Sequence, residues 1–161
     1  MNQKQSKNFY QILASSFGVG FFPYFPGTLA SLIVLVPFWF FKTIFSTYSF
    51  IFLLVILTII FLFIVYQAIK NVENKDPKFI IIDEYLGQGY ALVFCDENIF
   101  QYFLAFLFFR IFDILKPFPI NLIDLQKNSF GVIFDDIVAG IFSGIIIYIL
   151  YEFRISSLFI T

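Results

Sequence analysis

The clearest apolar span of the chain runs from Ser49 to Ile69, about 21 residues without a charged side chain. A helix of that length crosses roughly 30 Å of hydrocarbon, which is the thickness of a bilayer core. The stretch is therefore predicted to be a transmembrane helix.

Four other apolar segments have helical lengths, but each contains or borders charged residues. The first begins at Thr28, a good N-cap residue, and runs to Lys42, with Pro37 as a predicted kink. The other three cover residues 80–94, 98–115 and 135–151.

Two of these segments carry features that limit their extent. Pro117 disfavours helical geometry at Lys116, so the segment over 98–115 is predicted to end there. The stretch that follows Pro117 is predicted to be a loop or an interfacial segment. The part from Glu84 to Phe94 covers only about 16 Å as a helix, so it is expected to insert partway or to pack behind other helices.

Composition agrees with this pattern, because 60% of the residues are hydrophobic, 27 are Phe and only 13% are charged. A chain of 161 residues has too little polar surface to coat such a core, so lipid must cover part of it. We predict an all-α integral membrane bundle with four to five membrane-associated helices, forming one domain over 1–161. The net charge of -1 argues against a nucleic-acid partner.

Basic residues predict the orientation of the spans. Lys4 and Lys7 precede the first span, and Lys70, Lys75 and Lys78 follow the second, so both ends are expected in the cytoplasm. If the chain crosses once before Asp96 and returns, most of its remaining charges gather near the same face. These are Asp83, Glu84, Arg110, Asp113, Lys116, Asp124, Lys127, Asp135 and Asp136.

The adjacent Asp135 and Asp136 need a specific explanation. An aspartate inside a membrane helix costs about 2.5 to 3.5 kcal/mol, so opposite charge or a metal ion must compensate for several of them. A simpler explanation is that the two residues begin a helix, where exposed N–H groups favour anions. The same explanation applies to Asp83 and Glu84.

Small residues follow one acid of each pair at steps of four. In lipid, small residues at that spacing let helix backbones approach closely. We expect the two stripes to pack together or against a common neighbour, which would bring the two acids to the same level; plain packing with incidental acids is the alternative. The stripes are Asp83, Gly87 and Ala91, and Asp136, Gly140 and Gly144.

Arg110, Asp113 and Lys116 recur every three residues and so share one side of a helix end. One interpretation is a structural salt bridge between Arg110 and Asp113. The other is a site in which Arg110 and Lys116 bind a phosphate and acidic side chains bind a hard divalent cation. Because the chain has no His, its oxygen ligands favour Mg²⁺ over zinc or copper. The candidate ligands are Asp83, Glu84, Asp113, Asp135 and Asp136.

Missing residue types narrow the reaction. The absence of His excludes histidine-based lipid phosphatases and any Ser-His-Asp triad. No arginine follows Cys95 to form a phosphate loop, so a structural cysteine is expected, and no nucleotide-binding P-loop occurs. Metal-assisted phosphoryl transfer to water remains, with a carboxylate nucleophile as an open variant.

Four motifs, in order, are similar to those of the bacterial phosphatidylglycerophosphatase A family. They are GVGFFPYFPGTLAS at 18–31, DEYLG at 83–87, FRIFDILKPFPI at 109–120 and GVIFDDIVAG at 131–140. The resemblance covers about residues 15 to 150. It implies a multi-pass inner-membrane phosphatase with a cytoplasm-facing site, which uses Mg²⁺ to convert phosphatidylglycerophosphate to phosphatidylglycerol and phosphate.

The resemblance also implies roles for particular residues. It assigns the Mg²⁺ and catalytic roles to the five acids already named, and phosphate binding to Arg110 and Lys116. Thr28, in the turn that it forms with Pro26 and Gly27, would bind phosphate through a hydroxyl and helix N–H groups, or would only cap the helix. Asp124 also matches a family acid, without a defined role.

Three other functions stay open at this point. The first is a Mg²⁺-dependent phosphatase of another lipid phosphomonoester. The second is a divalent-cation transporter, which would distribute its acids through the membrane depth. The third is a non-catalytic membrane scaffold, which gives no reason for Arg110 and Lys116 beside five acids. A homo-oligomer is compatible with all of them.

Overall fold

The computed structural model describes residues 8–72 and 77–159, the last seven by their backbone alone. The predicted orientation signals Lys4, Lys7 and Lys75 lie outside these residues. Within the described ranges the chain is all helical, as predicted, and it contains no strand. The helices are α1 (Phe9–Ala14), α2 (Pro26–Ile44), α3 (Thr47–Ile69), α4 (Ile82–Leu92), α5 (Ile99–Leu115), α6 (Ile120–Asp124) and α7 (Ser129–Phe159), with a 3-10 turn at Val19–Phe21.

Three of the described helices are long and apolar enough to cross a membrane. They are Pro26–Ile44, Thr47–Ile69 and the Ser129–Glu152 part of α7. The remaining helices are shorter, so the count of four to five membrane-associated helices stays a prediction.

The predicted limits of α3 and α5 agree closely with the structure. The Ser46 hydroxyl accepts a hydrogen bond from Ser49 N–H at 3.3 Å and caps α3, which then runs without interruption to Ile69. The Asn98 side chain caps α5 by accepting from two backbone N–H groups. Helix α5 ends at Leu115, two residues before Pro117, as the clash of proline with a preceding helical residue requires.

Two predicted helix starts are wrong. Helix α2 begins at Pro26, whose fixed φ suits the first helical position, so Thr28 lies inside the first turn and is not the N-cap. Helix α7 begins at Ser129, because the side chain of Asn128 accepts a hydrogen bond from Gly131 N–H at 2.9 Å. Asp135 and Asp136 therefore lie in the second turn, and helix capping does not explain them.

The stretch after Pro117 differs from the predicted loop. It contains α6, a short helix that packs against α7. Phe118, Leu122 and Leu125 remain exposed on this segment, and its interfacial placement stays a prediction.

Helix α4 is the short helix at the centre of the bundle. Eight of its 11 residues are buried, so it packs behind other helices, as its length predicts. Gly89 lets α4 approach the side chains of Leu54 in α3 and Phe38 in α2, because a Cβ there would lie 2.9 Å from the Phe38 ring and closer still to Leu54.

The two small-residue stripes pack against each other, as predicted. A Cβ on Gly140 would overlap the carbonyl of Gly87, and a Cβ on Gly87 would lie 2.8 Å from the carbonyl oxygen of Asp136. A Cβ on Gly144 would lie 2.9 Å from the carbonyl oxygen of Ala91. The backbones of α4 and α7 are therefore in direct contact, which places the acids above these stripes side by side.

A buried lysine closes the other end of α4. The Lys42 ammonium, on a residue only 5% exposed, donates to the carbonyl of Leu92 at 2.8 Å and also to the carbonyl of Cys95. These carbonyls lie at the helix C-terminus, where a cation also complements the helix dipole. Lys42 thus holds the C-terminal end of α4, and the acids lie at its N-terminal end.

Gly140→Ala is expected to destabilise the fold, although alanine favours a helix over glycine by about 1 kcal/mol. The added methyl overlaps the Gly87 carbonyl, and overpacking of this kind costs about 1–3 kcal/mol. Unfolding in detergent micelles, followed by circular dichroism, measures the difference. A more stable variant would contradict the backbone contact.

Lys42→Met is expected to lower the free energy of unfolding by about 2 kcal/mol or more, because it removes two hydrogen bonds from a charged donor to the buried carbonyls of Leu92 and Cys95. The control is Tyr48→Met at a position 85% exposed, where a change within about 0.5 kcal/mol is expected. Equal stability losses for the two variants would show that the Lys42 contacts do not stabilise α4.

Candidate active site

The ends of four helices enclose a polar cleft of about 640 Å³. It lies where α4 and α7 meet, with the start of α2 and the end of α5 as its walls. All five predicted acids and both predicted phosphate-binding bases line it. The lining residues are Pro26, Gly27, Pro77, Lys78, Ile80, Ile81, Asp83, Glu84, Arg110, Asp113, Ile114, Lys116, Asp135 and Asp136.

Arg110 connects α5 with α4 at one side of the cleft. Its Nη1 lies 3.1 Å from Asp113 Oδ2 and forms a second, shorter ion pair with Glu84 Oε2. The predicted salt bridge with Asp113 is therefore present, but it is half of a wider arrangement. All three side chains are largely buried, so the guanidinium compensates for acids from two different helices.

Two small residues of α2 shape the surroundings of Glu84. The Ser31 hydroxyl lies 3.2 Å from Glu84 Oε2 and 3.0 Å from the carbonyl oxygen of Gly27. A Cβ on Gly27 would overlap the Glu84 carboxylate, so a larger residue there would force that carboxylate to move. Ser31 was not predicted from the sequence, in which its four-residue spacing from Gly27 is the signal that points to it.

Lys116 binds acids from two other segments. It ends α5 with a left-handed φ of 43°, and its Nζ lies 2.5 Å from Asp124 Oδ1 and 2.6 Å from Asp135 Oδ2. Burial disfavours the charged lysine, but the hydrogen bonds to these two carboxylates outweigh burial and raise the pKa of Lys116. The ammonium is therefore charged at neutral pH.

The structure gives Asp124 a position that the sequence left undefined. It lies at the end of α6, outside the cleft lining, and contacts Lys116 and, at 3.7 Å, Lys127. Partial burial alone would raise the pKa of Asp124, but the hydrogen bond and charge of Lys116 outweigh it and lower that pKa. Asp124 stays ionised and orients the Lys116 ammonium.

Asp83 and Asp136 differ from the other acids. Among the side chains described, those of residues 8–72 and 77–152, no Lys or Arg lies within ion-pair distance of either carboxylate. Asp136 is only 4% exposed, and Asp83 is half-buried. Asp83 accepts a hydrogen bond from the N–H of Glu84 at 3.0 Å. The charges of these two acids are therefore the least compensated in the cleft.

The cleft suits a hard cation by its chemistry. Among the residues that the structure describes, no three His, Cys, Asp or Glu side chains are already arranged around a metal position, since Glu84, Asp113 and Asp135 are paired with Arg110 and Lys116. Five acids nevertheless face only three basic residues in the lining, and all the acidic donors are oxygen atoms. An excess of buried negative charge with oxygen ligands fits Mg²⁺.

Thr28 is the one predicted phosphate-binding residue that does not line the cleft. It is half-buried in the first turn of α2, whereas the preceding Pro26 and Gly27 form the wall. Pro77, Lys78 and the following isoleucines were not predicted to lie there, because nothing in the pattern of a connecting segment shows which helix ends it covers.

Cys95 lies away from the cleft, in the loop between α4 and α5. Burial raises the pKa of its thiol to about 12, so the thiol stays protonated at neutral pH. This agrees with the prediction of a structural cysteine and leaves phosphate chemistry to the acids and bases.

Known sequences that resemble this chain share one description. A sequence model of the phosphatidylglycerophosphatase A family matches residues 12–151. The chain is 37% identical over 144 residues to phosphatidylglycerophosphatase A of Escherichia coli, covering 88% of this chain and 83% of that protein. It is 30% identical over 139 residues to the protein of the same name from Haemophilus influenzae, covering 85% of each.

A third relative has another name. A Bacteroides thetaiotaomicron protein, described as a candidate phosphatidylinositol-3-phosphatase, is 30% identical over 142 residues, which cover 84% of this chain and 89% of that protein. No solved structure matches the chain. The family match extends over nearly the whole described fold and includes every residue of the charged cleft, so the chain belongs to the phosphatidylglycerophosphatase A family and is a phosphatase.

Proposed function

We propose that the protein is a Mg²⁺-dependent phosphatase of the bacterial inner membrane that hydrolyses the terminal phosphomonoester of phosphatidylglycerophosphate. One observation carries the proposal: five acids and the basic residues Arg110 and Lys116, from α4, α5 and α7, line one cleft. The names of the Escherichia coli and Haemophilus influenzae relatives support this substrate.

The two bases receive the phosphate from opposite sides. Arg110 offers a planar set of donors that suits two phosphoryl oxygens, and Lys116 offers a compact point charge. Both are held by carboxylates, so each is oriented before the substrate arrives. Charge that develops on the phosphoryl oxygens is then stabilised without rearrangement of the protein.

The five acids would bind the cation, and one of them would act as the general base or the nucleophile. Asp83, Glu84, Asp113, Asp135 and Asp136 would bind Mg²⁺, which when bound polarises a phosphoryl oxygen and lowers the pKa of a coordinated water. In the direct route, one carboxylate accepts the proton of the attacking water and returns it to the lipid oxygen, which leaves as the alcohol when its bond to phosphorus breaks. In the covalent route, a carboxylate attacks phosphorus and displaces the lipid alcohol, and water then hydrolyses the resulting acyl phosphate to release inorganic phosphate.

The location of the cleft supports a cytoplasm-facing site. Lys78, which follows α3, is one of the residues that line the cleft. Basic residues next to membrane spans favour the cytoplasmic side, so Lys78 supports a cleft on that side. A substrate in the cytoplasmic leaflet would present its phosphate at that level while its acyl chains stay in lipid. We therefore place the three apolar helices across the membrane with the cleft at the cytoplasmic boundary.

A cation transporter would require acids along the membrane depth. Beyond Glu84 and Asp136, the rest of α4 and the buried part of α7 carry no acid, and their buried polar residues are the uncharged Gln88 and Ser143. The closer alternative is another lipid phosphomonoester, which the name of the Bacteroides thetaiotaomicron relative favours.

Asp136→Asn is expected to lower the kcat of phosphate release by at least about 100-fold, because it removes a buried carboxylate from the cleft. The assay uses purified protein in detergent with phosphatidylglycerophosphate, with Mg²⁺ or with EDTA. Glu97→Gln is the matched control, an exposed acid outside the cleft, and should keep full activity. Activity that persists in EDTA or in a folded Asp136→Asn variant would overturn the mechanism.

Phosphatidic acid and phosphatidylinositol 3-phosphate serve as comparison substrates in the same assay. Preferred hydrolysis of either would keep the reaction and replace the substrate. Release from none of the three lipids by folded wild-type protein would overturn the proposed function.

Arg110→Lys keeps the charge but loses the planar donor set that bridges Glu84 and Asp113. The expected result is a loss of about 10- to 100-fold in kcat/KM, the size of one or two hydrogen bonds to a charged group. Weaker inhibition by inorganic phosphate should accompany it. An unchanged inhibition constant would remove Arg110 from phosphate binding.

A further inference from the structure

An apolar groove of about 330 Å³ lies between α2 and α5. Its walls are almost entirely apolar side chains, and several of them, such as Val36, Phe40 and Phe103, are exposed on the outside of the bundle. The groove therefore opens sideways, toward the region that lipid would occupy.

The groove and the charged cleft share the same two helices. On α5, Ile99, Phe103 and Phe106 line the groove, and Arg110 and Asp113 line the cleft. These positions follow one another at steps of three or four, so they form one continuous stripe along a single helix face. The stripe changes from apolar to charged within one turn, between Phe106 and Arg110.

Helix α2 forms the opposite wall in the same way. Pro26 and Gly27 line the cleft, and Leu32, Leu35 and Trp39 line the groove further along the helix. The start of α2 and the end of α5 thus wall the cleft, and their remaining turns wall the groove. A molecule with a phosphate at one end and a hydrocarbon chain at the other would fit both at once.

We infer that the α2–α5 groove binds an acyl chain of the lipid whose phosphomonoester enters the cleft. This inference rests on the proposed function and adds the location of the chain. Apolar walls that start where the charged residues end suit one hydrocarbon chain that leaves the headgroup. The groove then orients the lipid so that its phosphate enters between Arg110 and Lys116.

Trp39 is well placed to report on this chain. It is the only tryptophan of the protein, and it lines the groove. It lies twelve residues after Gly27 in α2, which is about 18 Å along the helix axis. The middle of an acyl chain, beyond the glycerol of a lipid bound in the cleft, reaches that depth.

The first test measures quenching of Trp39 fluorescence by acyl chains brominated at carbons 9 and 10. Asp136→Asn protein in nanodiscs of unbrominated lipid prevents turnover, and circular dichroism checks its fold. Brominated phosphatidic acid at a low mole fraction is compared with phosphatidylcholine that carries the same chains. Stronger, saturating quenching by phosphatidic acid is expected, because only its phosphomonoester binds in the cleft.

Equal quenching by the two lipids would overturn the inference, since chain contact would then be random. A second copy of the protein in the groove is the rival occupant. It predicts that quenching by both lipids rises together when the oligomer dissociates on dilution, and that result would also overturn the inference.

A kinetic test uses a variant that fills the groove. Leu35→Phe should raise the KM for dioleoyl phosphatidylglycerophosphate about tenfold, a typical effect of a pocket change of this size, and should spare the dihexanoyl substrate. Ile33→Phe, an exposed position of α2 outside the groove, is the matched control and should change neither value. Equal KM changes for both chain lengths in Leu35→Phe would overturn the inference.

The two tests separate the groove from the reaction. Selective quenching by phosphatidic acid in a protein that hydrolyses no lipid would support the groove and overturn the proposed function. Normal hydrolysis of phosphatidylglycerophosphate with equal quenching and no chain-length effect would support the function and overturn the groove.

Discussion

The contact between the backbones of α4 and α7 is the constraint on which the rest of the structure depends. Gly87 and Gly140 meet without side chains between them, so the two helices lie as close as their main chains allow. The acids near the helix starts, Asp83 and Asp136, are consequently drawn into the same cleft. A methyl group at either glycine would separate the helices and with them the two halves of the site.

The close approach creates an electrostatic problem that α5 largely resolves. Carboxylates gathered at low exposure repel one another and lose hydration, so they require cations nearby. Arg110 neutralises one side of the group and Lys116 the other, both from the end of a single helix. Asp83 and Asp136 form no ion pair of their own among the described side chains, so they depend most on the more distant charges of Arg110 and Lys116.

Helix α4 is the element that joins these features to the membrane. Its length is too short for a span, so it is enclosed by longer helices and nearly all of its residues are buried. Its N-terminus faces the acids, and Lys42 binds the carbonyls at its other end. A short, largely buried helix whose C-terminal end is held by Lys42 is a rigid support for the acids at its N-terminal end, whose relative positions must be kept.

Much of the site was predictable because membrane insertion penalises charge so strongly. Acids and bases that persist in apolar segments need a shared reason, and the spacing of Gly87 and Gly140 below them indicated which helices would touch. Positions governed by local helix chemistry, such as the ends of α3 and α5, were predictable for the same kind of reason: caps and prolines act on neighbouring residues.

Other features depended on contacts between residues far apart in sequence. Because α7 starts at Ser129, Asp135 and Asp136 lie in its second turn. Thr28 does not line the cleft, although its neighbour Gly27 does. The links from Lys116 to Asp124 and from Ser31 to Glu84 follow from how α6 and α2 pack. The sequence by itself determined which buried charges needed a partner of opposite charge and which helix faces could approach each other. The tertiary structure decided which residues are those partners, because they lie on helices whose relative placement no local sequence pattern encodes.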